Sequence, residues 1–215
     1  AAGLIGVATF SSRILGFVRD MVLARLFGAT PAADAFFVAY RIPNLLRELF
    51  AEGSMSAAFI PVFTEYHTLK TKRDAWELAS ATFTTLLTIV TAVTLLGILA
   101  APGIVWLLAP GFRGSPDKLA LTTLLTQMMF PYLIFISLAA LAMGILNSLR
   151  AFAAPAFSPV FFNIFTIACM MFLSPWLPEP IIGVAIGIVV GGVAQFAMQL
   201  PGLKGRGMLF GLRFQ

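Results

Sequence analysis

Long apolar runs separated by short polar, glycine- or proline-rich connections divide the chain into six predicted helices, at about 3–27, 32–67, 75–108, 118–149, 159–173 and 181–200. A membrane-crossing helix needs roughly 20 apolar residues, so the pattern predicts an all-α integral membrane protein with six transmembrane helices. The second stretch is too long for one straight span, and Pro43 and Pro61 are expected to kink it. Pro131 is an interior break in the fourth. Thr82, Thr84, Thr85, Thr88, Thr91 and Thr94 line the third; in lipid such hydroxyls bond back to their own helix or sit in helix contacts. In the sixth, Gly183, Gly187 and Gly191 recur every four residues and make a face of small side chains able to bring another helix close. Tight packing is the first reading of that face, and a dimer seam the second. The basic tail LKGRGMLFGLRFQ reads as a connector.

Composition agrees with the pattern. The chain is 60% hydrophobic and only 11% charged, against roughly 25% charged in soluble domains. Its net charge of +5 comes from scattered residues that flank apolar runs, which fits membrane topology better than nucleic-acid binding. Loops on the side of the two ends carry Lys70, Lys72, Arg73, Arg150, Lys204, Arg206 and Arg213, whereas the opposite loops carry Arg113 and Lys118 with Asp117 and Glu179. The positive-inside rule therefore places both ends in the cytoplasm. No basic region followed by a small-residue cleavage site opens the chain, so no cleavable signal is expected. One cysteine, Cys169, and one histidine, His67, supply neither a disulfide nor a metal site. His67 is expected to be a solvated residue at a helix end. Without a phosphate loop before a helix or a nucleophile–base pair, no catalytic residue is assigned and an enzyme is not expected.

The exception to the oil is residues 11–52. Arg13, Arg19, Asp20, Arg25, Asp34, Arg41, Arg47, Glu48 and Glu52 put five of the fourteen Lys and Arg residues and four of the nine acids there. Ionisable groups at membrane depth cost at least ~2.5–3.5 kcal/mol each and face an aqueous cavity or a partner. On a regular helix Arg13 and Asp20 share a face with Arg19 turned about 120° away, while Asp34, Arg41, Glu48 and Glu52 form one stripe with Arg47 aside. Two readings stay open. The acids neutralise the arginines as structural pairs, or the arginines line a hydrated cationic cavity that grips an anionic group, a task suited to the always-charged guanidinium fork.

The residues SSRILGFVRDMVLARLFGA and ADAFFVAYRIPNLLRELFAEGSMSAAFIPVF, with LAPGF, Phe130–Tyr132, GILN at Gly144–Asn147, PAFSPVFFN and QLPGLK, resemble the MurJ/MviN family of lipid II flippases over essentially the whole chain. The resemblance implies one six-helix lobe of a two-lobed alternating-access flippase in the bacterial cytoplasmic (inner) membrane, with the C-terminal lobe absent from these residues. It implies a substrate, lipid II (the undecaprenyl-pyrophosphate disaccharide-pentapeptide), moved from the cytoplasmic to the periplasmic leaflet. Arg13, Arg19 and Arg47 match the family's cavity arginines and would bind the pyrophosphate, with Asp20, Asp34 and Glu52 as supports or gates. No cofactor is implied in this chain, and transport would be coupled to the membrane potential or an ion gradient. The partners implied are lipid II, membrane lipids and the other lobe. The alternatives are a lobe of a drug/cation antiporter, which would favour intramembrane acids, an exporter of another polyprenyl-linked oligosaccharide, and a non-transporting scaffold.

Overall fold

The computed structural model describes residues 2–213, apart from the side chains of residues 52–56. Every regular element among them is helical. α1 (Ala2–Phe27) leads through a glycine turn to α2 (Pro31–Arg47), whose N-cap Thr30 accepts a hydrogen bond from Ala33 N at 3.3 Å. A wide π-helical stretch, Glu48–Phe59, joins α2 to α3 (Ile60–Leu69). α4 (Lys72–Leu108) starts in a reciprocal capping box between Thr71 and Asp74. α5 (Pro116–Met129) and α6 (Tyr132–Ser148) are halves of one span broken at Phe130–Pro131. α6 ends where Arg150 takes a left-handed conformation (φ 59°) and Ala151 N reaches back to Leu146 O at 2.8 Å. α7 (Ala153–Ala168), a π turn at Cys169–Leu173, α8 (Ile181–Ala197) and the short α9 (Leu200–Gly205) follow.

Among the described residues five stretches are long and apolar enough to cross a membrane: Ala2–Phe27, Lys72–Leu108, Pro116–Ser148, Ala153–Trp176 and Ile181–Gly205. The segment expected as the second span differs in kind. Pro43 lies buried within α2 and does not end it, and Pro61 sits in the first turn of α3, where its missing N–H costs nothing. The helical geometry changes at the π-helical stretch, whose wider turn abolishes the regular phasing assumed for Glu48 relative to Asp34 and Arg41. α7 begins at Ala153, six residues before the expected start at 159. Pro155 falls in its first turn, where a backbone donor would be unpaired anyway.

α8 packs between α6 and α7, whereas α1 lies against α7 and little else. The glycine ladder is consumed inside the lobe. A Cβ on Gly191 would stand 2.8 Å from Phe162 Cδ2 and 2.9 Å from both Phe162 O and Thr166 Oγ1. One on Gly187 would meet Cys169 Cβ at 3.0 Å and Thr166 O at 3.1 Å, and one on Gly183 would collide with Ser174 Oγ. The packing reading of that face therefore holds. Thr82, Thr84 and Thr88 bond back to carbonyls four residues earlier at 2.8–3.0 Å, as expected of threonines in lipid.

Two further contacts close the lobe. Pro102 inside α4 cannot donate to Ile98 O, and Gln127 Nε2 from α5 supplies that hydrogen bond at 3.1 Å. The tail runs along α4: Trp76 Nε1 donates to Leu209 O at 2.7 Å, Gly211 N to Ser80 Oγ at 3.2 Å and Arg213 N to Thr84 Oγ1 at 2.9 Å. Phe210 stacks on Phe83 with ring centres 4.5 Å apart.

Candidate functional site

Charge at membrane depth is costly in α1 and α2, so what holds their arginines decides what they can do. Arg19 and Arg47 are half-buried, with side chains 29% and 25% exposed. Both are restrained in the same way, by an acid that follows directly in sequence and by an asparagine side chain. Arg19 donates from Nε and Nη2 to Asp20 Oδ1 at 3.2 and 3.1 Å, and from Nη1 to Asn163 Oδ1 at 3.1 Å. Arg47 donates from Nε to Asn44 Oδ1 at 3.1 Å, and its Nη2 stands 4.0 Å from Glu48 Oε1.

The asparagines do different work. Asn44 sits one turn before Arg47 on α2. Asn163 is buried on α7, and its Nδ2 donates in turn to Ser12 O of α1 at 3.2 Å. A single carboxamide thus ties α1 to α7 and fixes the direction of Arg19. Its three bonds to Asp20 and Asn163 leave one N–H on each terminal nitrogen of Arg19 without a described protein acceptor. Asp20 and Glu48 are mostly exposed, and pairs of that kind are worth little, about 0–1 kcal/mol. An arriving anion can displace them.

An aromatic group is packed in the core of the lobe: Tyr132, at the start of α6, is buried. Its ring is 6.3 Å from Tyr40 and 5.7 Å from Phe162, centre to centre. Beyond Arg47 a cavity of about 320 Å³ opens between the π-helical stretch, α6, α7 and α8.

The remaining sequence-predicted residues are placed apart from this arrangement. Arg13 is exposed on α1 and makes no ion pair among the described residues. Asp34 pairs with Lys118 Nζ at 2.9 Å rather than with an arginine. It sits thirteen residues, about 20 Å, from Arg47 along α2. Glu52 lies outside the residues whose side chains are described. Arg19 and, through it, Asp20 are therefore tied to Asn163, Arg47 borders the cavity, and Arg13 and Asp34 belong to neither group. Sequence reasoning missed Asn163 and Asn44. A lone asparagine in the apolar run of PAFSPVFFN was the available signal, since an unpaired amide in such a run is expensive.

Among the described residues no three His, Cys, Asp or Glu side chains gather to hold a metal ion. His67 is exposed and stacks on Phe63.

Comparison with known proteins bears on the whole lobe. The family described as "Lipid II flippase MurJ" matches residues 23–215. A protein from Vibrio cholerae named "Probable lipid II flippase MurJ" is 45% identical over 213 residues, covering 96% of this chain and 41% of the relative. The "Lipid II flippase MurJ" of Burkholderia cenocepacia is 42% identical over 196 residues, 91% of this chain and 38% of its own length. A solved structure titled "Lipid II flippase MurJ, inward closed conformation" superposes with a TM-score of 0.77 at 30% identity, covering 99% of this chain and 43% of that one. The chain thus spans about 40% of the length of the curated relatives it matches.

Proposed function

This chain belongs to the lipid II flippase MurJ family, and from that premise we propose that its six-helix lobe carries part of the pyrophosphate site of a lipid II flippase. The relatives named as lipid II flippases are more than twice as long, so the activity is that of this lobe working against a second one. The observation that carries the reading is the paired restraint of Arg19 and Arg47. Each is a half-buried guanidinium held by an asparagine carbonyl and faced by an exposed acid. A cation fixed in this way loses little freedom when it binds an anion, and it binds more strongly than it would in water because the surroundings are of low dielectric. Arg13 adds a third positive charge on the same helix as Arg19, available to a headgroup as it enters or leaves.

Rocking of the two lobes would expose the arginines first to one leaflet and then to the other, with the lipid tail remaining in hydrocarbon. Both ends of the lobe then lie in the cytoplasm of a bacterium and the spans cross its inner membrane. Moving a negative headgroup outward runs with an inside-negative potential, worth about 2.3 kcal/mol per charge at 100 mV, so the potential suffices as a driving force. Asp34, bound to Lys118 across α2 and α5, acts as an outer strut rather than as part of the anion site. The same pairing disfavours a carrier of cationic drugs, because Asp20 and Asp34 are each occupied by a cation of the chain itself.

The test is binding of lipid II to the protein carrying this chain, by native mass spectrometry. Arg19→Ala and Arg47→Ala should each weaken binding roughly tenfold to a hundredfold, the loss of a charge-assisted contact. Arg113→Ala, in the α4–α5 loop, should leave it unchanged. Equal affinity across all variants would make the arginines structural and refute the reading.

A further inference from the structure

The cavity beside Arg47 is built for more than an anion. Its lining combines the Arg47 guanidinium, the carboxamides of Asn147 and Gln195, and apolar walls from Ile136, Met143 and Pro159. Gln195 is 8% exposed. Its main-chain carbonyl accepts from Ser158 Oγ at 3.2 Å and from Gln199 Nε2 at 3.0 Å, yet its side chain bonds no described residue. Neither does that of Asn147. A carboxamide on a largely buried residue is rarely left without a partner, because an unmade hydrogen bond costs stability; this holds for Gln195, whereas Asn147 lines the cavity from an exposed position. On α8, an otherwise apolar helix, a leucine would fill the same space without that cost. The cavity volume, about 320 Å³, lies at the small end of the range for ligand pockets.

We propose that this cavity is a subsite for the sugar attached to the pyrophosphate, held by Gln195 and Asn147 while Arg47 engages the neighbouring phosphate. The inference rests on the pyrophosphate reading of Arg47 and names the part of the ligand that reading leaves open. Among the described side chains Arg47 is the only charged one in the lining, and the carboxamides beside it suit an uncharged polar group. Each carboxamide offers two donors and an acceptor, which suits ring hydroxyls and an acetamido group. The apolar walls suit the flat face of a sugar ring.

The experiment measures dissociation constants of the protein carrying this chain for three probes: lipid II, bare undecaprenyl pyrophosphate and undecaprenol. Gln195→Leu should weaken lipid II binding roughly threefold to tenfold, the loss of one or two neutral hydrogen bonds. It should leave bare undecaprenyl pyrophosphate within a factor of two. Asn147→Leu, at an exposed position, repeats the test should Gln195→Leu fail to fold. Equal loss for both pyrophosphates, or no loss for lipid II, overturns the subsite and leaves a water-filled cavity. Arg47→Ala should weaken both pyrophosphates and spare undecaprenol. Unchanged binding of bare undecaprenyl pyrophosphate in that variant refutes the pyrophosphate reading of Arg47, while the Gln195 comparison still decides the sugar subsite.

Discussion

Replacing Gly191 by alanine places one methyl group where α7 and α8 already touch through main chain. The new Cβ would lie 2.8 Å from Phe162 Cδ2, 2.9 Å from Phe162 O and 2.9 Å from Thr166 Oγ1. The ring can turn, but the carbonyl cannot, because it belongs to α7 and also accepts from Thr166 Oγ1 at 2.8 Å. Relief requires the helices to part. Overpacking of this kind costs about 1–3 kcal/mol, offset by ~1 kcal/mol because alanine is the better helix former, for a net loss of up to about 2 kcal/mol. At this chain length that is up to roughly 8 °C in Tm. Gly103→Ala is the control, since a Cβ there meets nothing within 4 Å, and it should hold or raise Tm. A thiol-reactive dye reads the transition in detergent. The chain has a single cysteine, Cys169, and it sits against Gly187 in the same helix contact. If Gly191→Ala melts with Gly103→Ala, the close approach of α7 and α8 is refuted. If instead Tm holds and an oligomer dissociates, the glycine face is an assembly seam.

Other perturbations test the polar pins of the lobe. Asn163→Leu removes one charge-assisted and one neutral hydrogen bond between α1 and α7, about 2–4 kcal/mol by the usual values. Hydrogen exchange along α1 should rise, and unchanged protection would mean that packing alone holds that helix. In an Arg19→Ala background, Asn163→Leu should cause no further loss of lipid binding, and additive losses would show that Asn163 does not act through Arg19. Gln127→Leu leaves Ile98 O, already deprived of its donor by Pro102, unpaired in an apolar setting. It should lower stability by about 1–3 kcal/mol, and Gln127→Glu, which also lacks the amide donor, should not rescue it when ionised. A Tm equal to the parent's in both variants would mean that the carbonyl finds another donor.

Apolar run length located α1, α4, α5–α6 and α8 in the sequence because lipid imposes one requirement on all of them, a long stretch with internally satisfied backbone. It did not reveal how each proline is accommodated. What a proline does to a helix depends on what else can serve the freed carbonyl and on where in the turn it falls. Pro61 and Pro155 occupy first turns, and Gln127 repairs Pro102 from another helix. None of this is local information. The π-helical stretch after Arg47 has the same origin: its course is set by packing against α6 and α3, which no period in the residues 48–59 announces. The tail is the clearest case. An extended chain rises about 3.3 Å per residue and a helix 1.5 Å, so every second tail residue meets every fourth residue of α4. Leu209, Gly211 and Arg213 accordingly reach Trp76, Ser80 and Thr84, a register visible only once both partners are known.

The candidate arginines were legible for a different reason. Charge in a hydrophobic run stands out without any neighbour, so Arg13, Arg19 and Arg47 could be singled out from composition and motif alone. Their restraints could not, because they are neutral and distant. Asn163 lies 144 residues from Arg19, and Gln195 and Asn147 come from different helices to the same cavity as Arg47. The neutral amides nevertheless carry most of the specificity argument. A guanidinium attracts any anion, whereas a carboxamide with defined partners fixes where the guanidinium points, and one without partners asks for a ligand group to complete it. In α7 and α8, lone Asn and Gln residues in otherwise apolar runs are therefore informative in the way that charges are in α1 and α2. A carboxamide at membrane depth is costly to leave unpaired; Asn163 finds its partner on another helix, and for Gln195 the proposed partner is what the cavity holds.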